Sequence, residues 1–259
     1  MKFTHYRQST ARFNYAGKTF LIDPMLAEKG TYPPFEGAVT GNMEMNPLVD
    51  LPLSLNELTS GLDAVIVTHL HYDHWDEVVA KMLDKNLPIF VQDELDAAVI
   101  RESGFTKVYV LGEDTQFDNI TISRVYGEHV ENLNQFPEEV QTIIGKVCGF
   151  VLRHADEKTI YFTGDSMLDP FVKDAVVTHQ PDIIVMNAGG NAMQGVGKVV
   201  MDANDVHILS QLTDAQLVAV HMEAVNHWTL SRSELAHFAS EKGFADQLII
   251  PKDGEYVEF

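Results

Sequence analysis

The chain concentrates metal-binding side chains between residues 68 and 76, in the stretch THLHYDHWD. His69, His71, Asp73 and His74 stand there in an H-x-H-x-D-H spacing. In extended backbone, side chains two residues apart point to the same side, so His69 and His71 can bind one ion. Asp73 and His74 then have to serve another. Imidazole nitrogen and carboxylate oxygen suit zinc, manganese or iron, so this spacing predicts a site for two ions.

Two ions need more ligands than one stretch supplies, and the same residue types recur where apolar segments end. His129 lies in VYGEHV, Asp165 follows TIYFTG, and His221 ends LVAVH. A sheet scaffold usually places its active site where strands meet loops. We therefore expect these three residues to complete the metal site.

The elements that must position these residues follow from hydrophobic periodicity and turn residues. Three opening strands are predicted at residues 2–7, 10–15 and 18–22, forming a β-meander. Residues 23–57 are predicted to be irregular, and a loop this long either covers a binding site or is a surface excursion pinned by its five prolines. Further strands are predicted at 63–68, 88–91, 107–110, 119–125, 147–153, 158–163, 182–187 and 216–221. Helices are predicted at 75–84, 93–103, 168–178, 203–213 and 231–242.

Composition narrows the function classes. With 259 residues, 45% of them hydrophobic, we expect one layered α/β domain spanning residues 1–259. A formal net charge of −20 argues against nucleic acid or an anionic membrane surface as the main partner. Cys148 is the only cysteine, which excludes an internal disulfide and suits a reducing compartment, and no secretory signal is recognised. We expect a cytoplasmic protein without membrane spans.

Other catalytic chemistries lack their motifs. The sequence contains no G-x-S-x-G elbow, no phosphate-binding P-loop and no cysteine near a plausible base. The segment NAGGNAMQG could offer the backbone amides of Gly189 and Gly190 to an anionic substrate, or its glycines could serve only a turn. Asn187 is predicted to contact the substrate or a developing oxyanion. Bound divalent ions would reverse the local charge, so a small anionic substrate stays open.

Four motifs resemble one known family. THLHYDH, YGEH, FTGDS and VAVH occur in the order and rough spacing of the metallo-β-lactamase superfamily, and LIDP matches its early strand. This resemblance implies an α/β fold, a four-layer αββα sandwich. IDPML, NPLVDLPL, MNAGG and AVHMEAVNH are similar to the branch that contains ascorbate-6-phosphate lactonase.

The resemblance also implies roles for individual residues. Its seven metal ligands would be His69, His71 and His129 for one ion, Asp73, His74 and His221 for the other, and Asp165 between the two. Asp73 and Asp165 are the implied catalytic carboxylates, and Asp23 would accept a hydrogen bond from a ligand imidazole. His227 follows His221 closely and could contact substrate, replace His221 as ligand, or be structural.

A binuclear hydrolase is the function that this ligand set implies. Hydroxide shared by two divalent ions, zinc or manganese with iron as the alternative, would attack a small ester, lactone or phosphodiester. An iron-dependent oxidoreductase and a non-catalytic metal-binding protein are the competing hypotheses. Motif similarity further predicts a homo-oligomer.

Overall fold

The first sheet begins with the three predicted opening strands. The computed structural model describes residues 1–259 and gives these strands the bounds predicted from the sequence, β1 Lys2–Arg7, β2 Thr10–Tyr15 and β3 Lys18–Ile22. They pair antiparallel, and β4 Ala64–Ile66, β5 Ile89–Val91 and β6 Val108–Val110 continue the sheet parallel to β3. β4 and β5 are apolar throughout because both of their faces are covered. β16 Tyr256–Glu258 closes the other edge beside β1.

The second sheet also has seven strands, and three of its six strand pairings are antiparallel and three parallel. Its antiparallel strands are β7 Thr115–Phe117, β8 Ile120–Gly127, β9 Val147–Arg153 and β10 Ile160–Phe162. Its parallel extension from β10 consists of β11 Ile183–Asn187, β14 Gln216–Val220 and β15 Leu248–Ile249. β12 Ala192–Met193 and β13 Gly197–Lys198 form a separate short hairpin.

Seven α-helices follow the strands. Their bounds are α1 Leu55–Thr59, α2 Glu77–Met82, α3 Glu94–Glu102, α4 Glu138–Ile144, α5 Pro170–His179, α6 Ala203–Leu212 and α7 Arg232–Lys242. Side chains cap most of these helices at the N-terminus; Asp202, for example, accepts from the amides of Asn204 and Asp205 ahead of α6. No helix combines the length and apolar character that a membrane crossing needs.

The core lies in three layers between and outside the sheets. Phe13 of the first sheet meets Phe162 of the second edge to face at 5.5 Å, within a cluster of 20 buried residues between the sheets. A second cluster packs the other face of the second sheet against α5, α6 and α7. A third packs the other face of the first sheet against α2 and α3. Helix, sheet, sheet and helix therefore stack as a four-layer αββα sandwich, which confirms the predicted fold class.

Most element positions are confirmed, with small shifts at their ends. β8 extends two residues beyond the predicted strand, and several strands and helices are one or two residues shorter at an end. The helices α1 and α4 and the short strands β7, β12, β13, β15 and β16 were not predicted. These elements are too short to develop a clear period.

Candidate metal centre

The predicted ligands all follow strand ends on one side of the two sheets. His69, His71, Asp73 and His74 occupy the loop between β4 and α2, which belongs to the first sheet. The second sheet contributes the remaining three, His129 after β8, Asp165 after β10 and His221 after β14. All seven are buried except His71, which is half-buried. The structure thus brings residues from both sheets together in one largely buried polar cluster.

One ligand group consists of three imidazoles. Nε2 of His69 lies 3.0 Å from Nδ1 of His71 and 3.4 Å from Nε2 of His129. The three ligand atoms lie within 4.8 Å of one another. This is the grouping expected for the first ion.

Hydrogen bonds on the outer side of these rings decide which nitrogens carry protons. Nε2 of His71 faces the carbonyl oxygen of Ile143, and Nδ1 of His129 faces that of Val199, both at 2.9 Å. A carbonyl only accepts, so each of these nitrogens is the N–H donor. The nitrogens that point into the cluster, Nδ1 of His71 and Nε2 of His129, consequently present lone pairs.

Thr68 and Asp23 orient the imidazole rings of His69 and His74 through hydrogen bonds to their outer nitrogens. The Thr68 hydroxyl donates to Asp23 Oδ2 at 2.8 Å, so it accepts from Nδ1 of His69 at 3.1 Å. Asp23 Oδ2 also lies 3.0 Å from Nδ1 of His74. His69 therefore turns its Nε2 lone pair inward, Nε2 of His74 also points into the cluster, and Asp23 occupies the position predicted for it beside a ligand imidazole.

The other ligand group combines two carboxylates with two imidazoles. Nε2 of His221 lies 3.1 Å from Asp73 Oδ2 and 3.3 Å from Nε2 of His74. Asp165 approaches His74 at 3.1 Å, His221 at 3.6 Å and His69 of the first group at 4.0 Å. Asp165 is thus placed between the two groups.

The two ligand groups differ in their electrostatics: burial disfavours charge on the imidazoles of the first group, and carboxylates favour positive charge in the second. Burial lowers the pKa of His69 and of His129, the latter to about 4, so both rings are neutral. Burial alone would also lower the pKa of His74, but the surrounding carboxylates outweigh it and raise that pKa. Burial would raise the pKa of Asp165, yet the imidazoles of His221 and His74 hold it well below its usual range.

These groups fit divalent cations. The imidazoles of His69, His71 and His129 direct lone pairs inward at separations of 3.0 to 3.4 Å, and one buried oxygen, Asp73 Oδ1, has no hydrogen-bond partner in the protein. Lone pairs facing lone pairs repel unless a cation lies between them. Three nitrogens suit one ion, and two nitrogens with two carboxylates suit a second.

The sequence does not indicate that the turn between β1 and β2 is buried and contacts two of the predicted ligands. Gln8, in the β1–β2 connection, donates from Nε2 to the carbonyl oxygen of Asp73 at 3.0 Å, and its backbone carbonyl accepts from the amide of His221 at 2.7 Å. Ser9 also donates to the Asp73 carbonyl. Gln-Ser-Thr between two strands has the composition of an ordinary exposed turn. Its only unusual property, complete burial of Gln8, arises from tertiary packing.

Asn187 and the two glycines behind it lie against the ligands. Nδ2 of Asn187 donates to Asp165 Oδ1 at 2.5 Å. A Cβ at Gly189 would come 2.2 Å from the His221 carbonyl oxygen, and the Gly190 amide donates to the carbonyl of Met201. The Gly190 amide is therefore already paired within the protein, and the missing side chain of Gly189 lets this turn pack closely against His221.

His227 and part of the long loop form a wall near the second ligand group. The His227 ring is buried, lies 6.4 Å from the His221 ring between centroids, and meets Phe35 at 4.4 Å. Asn226 holds Phe35 by hydrogen bonds to its backbone amide and carbonyl. Residues 31–47 are thereby fixed over the metal centre, as the covering alternative requires. The pKa of His227 is lowered to about 4 by burial, and its Nδ1 has no partner in the protein.

A cavity of about 470 Å³ opens beside the first ligand group. His69 and His71 lie in its wall, together with residues from the start of α3 and from the segment that ends α4. Its charged lining residues are Asp93, Asp96 and Lys146. The cavity therefore carries more negative than positive side-chain charge.

Comparison with known proteins gives a consistent result over almost the whole chain. The model of the family described as β-lactamase superfamily domain matches residues 18–222, a range that includes all seven predicted ligands. UPF0173 protein YddR of Bacillus subtilis is 45% identical over 260 residues, covering 100% of both chains. The crystal structure of isothiocyanate hydrolase from Delia radicum gut bacteria is 39% identical with a TM-score of 0.96, covering 100% of this chain and 99% of that chain. That of a possible metal-dependent hydrolase from Veillonella parvula is 35% identical with a TM-score of 0.96, covering 99% and 98%.

Proposed function

The chain belongs to the β-lactamase superfamily, and we propose that it is a binuclear metal-dependent hydrolase of small uncharged electrophiles, with isothiocyanates as the first substrates to test. Membership confirms the superfamily resemblance and the assignment as a metal-dependent hydrolase. The narrower resemblance to the ascorbate-6-phosphate lactonase branch stays a prediction. The observation that carries the binuclear proposal is the pair of ligand groups, in which outward hydrogen bonds leave lone pairs facing inward.

Seven proposed ligands would hold the ions, and two neighbouring residues restrain the positions of ligand side chains. His69, His71 and His129 would hold one ion, and Asp73, His74 and His221 the other, with Asp165 shared. Two bound divalent ions would supply hydroxide at neutral pH and polarise the group under attack. Asn187 restrains the Asp165 carboxylate, and Asp23 restrains His74. Such outer contacts keep ligand atoms in position and raise metal affinity.

Two observations support an uncharged substrate. Asp93 and Asp96 outnumber Lys146 around the cavity beside His71, and no arginine lines it. A phosphodiester site usually offers arginine or lysine to the phosphate oxygens. The relative of known reaction, isothiocyanate hydrolase, is similar over the full chain and acts on an uncharged group. Esters and lactones remain the second class because the same nucleophile attacks their carbonyl carbon.

Isothiocyanate hydrolysis needs a nucleophile and a proton donor. Water adds to R–N=C=S by forming a carbon–oxygen bond while the carbon–nitrogen π pair moves to nitrogen, which takes up a proton. Loss of the proton from the added oxygen, uptake of a second proton by nitrogen and cleavage of the remaining carbon–nitrogen bond then release an amine and carbonyl sulfide. We propose that the neutral His227 ring, whose Nδ1 is unpaired, donates a hydrogen bond to the substrate near the second ligand group.

A metal analysis combined with a substrate panel tests this proposal. Protein purified without chelator is analysed by plasma mass spectrometry and assayed with allyl isothiocyanate, γ-butyrolactone and a phosphodiester. We expect about two ions per chain and release of allylamine. Asp165→Asn should weaken metal binding and abolish release while the circular dichroism spectrum is kept, and Asp174→Asn on the exposed face of α5 serves as the matched control.

The alternatives give different results in the same experiment. Bound iron with oxygen consumption and no hydrolysis would identify an oxidoreductase. Two ions with turnover of the lactone alone would keep the binuclear site and replace the substrate. Full activity of Asp165→Asn would contradict the shared position of Asp165, and one ion per chain after reconstitution would contradict the binuclear site.

A further inference from the structure

Two exposed apolar side chains stand at the cavity beside the first ligand group. Leu95 is 73% exposed and Ile143 is 74% exposed, among the highest values for large apolar residues of the chain. Both line the 470 Å³ cavity that also includes His69 and His71. Exposed apolar residues gathered at a concave polar site indicate contact with a ligand.

Neither Leu95 nor Ile143 contributes to the packing of its helix against the rest of the protein. On α3 the buried residues are Ala97 and Ile100, and Leu95 projects from a different side of the helix. On α4 the buried residue is Ile144, the neighbour of Ile143. The fold leaves both apolar side chains in water, so a molecule bound in the cavity could bury apolar area that the chain itself does not.

The backbone holds the cavity walls in fixed positions close to the metal ligands. The carbonyl oxygen of Ile143 accepts from Nε2 of His71 at 2.9 Å, so the Ile143 residue is tied to a ligand. On the opposite wall, Nε2 of Gln92 donates to Asp96 at 2.8 Å and to the carbonyl of Lys146 at 2.9 Å. These bonds join the start of α3 to the chain that follows α4. The cavity is therefore preformed, which lowers the entropic cost of binding.

The size and charge of the cavity define the group that fits. A volume of about 470 Å³ is within the range of small-molecule sites. Leu70, Leu95, Leu133 and Ile143 offer apolar contact, and the excess of carboxylates disfavours an anion. An uncharged alkyl or aryl chain is the group that these walls accommodate best.

We propose that this cavity is the subsite for the apolar substituent of the substrate, with Leu95 and Ile143 as the residues that select for it. The assignment rests on the proposed hydrolase function, because it places the reactive carbon at the ligand groups and the substituent in the adjoining cavity. Substrates with longer apolar chains should then react with higher kcat/KM, by up to about fourfold for each methylene group that leaves water.

Comparison of two isothiocyanates tests the subsite during turnover. We expect the wild type to prefer hexyl over methyl isothiocyanate, measured as the ratio of the two kcat/KM values. The double variant Leu95→Ser, Ile143→Ser should lower this ratio at least tenfold. Val177→Ser, at a residue equally exposed on α5, should keep the wild-type ratio. An unchanged ratio in the double variant would overturn the assignment.

Binding of alkanethiols tests the subsite without turnover. A thiolate binds zinc directly, so its alkyl chain reports on the space beside the ligands. By titration calorimetry on the zinc-loaded protein, 1-hexanethiol should bind at least tenfold more tightly than ethanethiol, and the double variant should lose this difference. Equal affinities in the wild type would reject the subsite whatever the reaction is. Chain-length selectivity for thiols without isothiocyanate hydrolysis would instead keep the subsite and reject the proposed substrate.

Discussion

Among individual residues, Gln8 shows how a side chain that binds no metal can set ligand geometry. Its side-chain Nε2 donates to the carbonyl oxygen of Asp73 and its backbone carbonyl accepts from the amide of His221, so the residue joins one proposed ligand from each sheet. Its backbone has φ 37°, a left-handed conformation that costs free energy in a residue other than glycine. The contacts to two ligands outweigh this cost in the folded protein. Gln8 is therefore a positioning residue for the metal centre.

Gln8→Glu should weaken metal binding by about 10- to 100-fold, the effect typical of losing a contact outside the ligand shell. Glutamate has nearly the same shape and can still accept from Arg7, but it cannot donate to the Asp73 carbonyl. The dissociation constant from chelator competition and the visible spectrum of the cobalt-substituted protein are the measurements. Gln116→Glu, with the same charge change on an exposed strand, is the control. Identical affinity and spectrum in Gln8→Glu would show that ligand geometry does not depend on this contact.

The ligands could be predicted from the sequence, but Gln8 and Thr68 could not. His69, His71, Asp73 and His74 carry their signal in residue type and spacing within one short stretch. Gln8 acquires its role only when the β1–β2 turn is buried beneath a strand end far along the chain. The sequence therefore predicts which side chains have the chemistry, and packing decides which others hold them in place.

At the level of elements, the turn after β11 constrains the end of β14. Gly189 lies where any side chain would contact the carbonyl oxygen of His221, and His221 itself has φ 62°. The backbone of a ligand is thus held in a strained conformation by close packing of a neighbouring turn. Gly189 has no positive φ, so its requirement is space rather than conformational freedom.

Gly189→Ala should destabilise the protein by about 1–3 kcal/mol, the usual cost of overpacking, and should weaken metal binding because His221 must shift. Gly112→Ala is the matched control, since its Cβ would meet nothing closer than 3.8 Å. Urea denaturation and chelator competition measure the two effects. If Gly189→Ala is less stable but binds metal with wild-type affinity, the packing of this turn does not control the position of His221.

Element prediction succeeded where the apolar pattern was long or strongly alternating. The meander β1 to β3 was predicted to the residue because period-2 alternation and the Ala16-Gly17 turn agree. α4 was missed because it has only seven residues and buries only Ile144. The cavity wall that α4 contributes was therefore invisible in the sequence, and so was the proposed subsite.

At the scale of the whole molecule, the candidate metal centre lies between the two sheets and takes its proposed ligands from both. The first sheet supplies His69, His71, Asp73 and His74, and the second supplies His129, Asp165 and His221. Bound ions would therefore link two layers that are otherwise held together by the apolar core between them. Loss of the ions would leave buried carboxylates and converging lone pairs without compensation, which opposes close approach of the sheets on that side.

Removal of the ions should consequently lower the stability of the whole chain rather than loosen one loop. An ion at 1,000 times its dissociation constant stabilises the folded state by about 4 kcal/mol. With roughly 2–4 °C for each kcal/mol in a chain of this size, chelation should lower Tm by at least about 8 °C, and added zinc should restore it. Calorimetry of the chelated and reloaded protein measures this shift, and Asp165→Asn should show a smaller one because a ligand shared by both groups is lost. Equal Tm with and without metal would mean that the two sheets meet equally well without the ions, which the facing lone pairs of His69, His71 and His129 argue against.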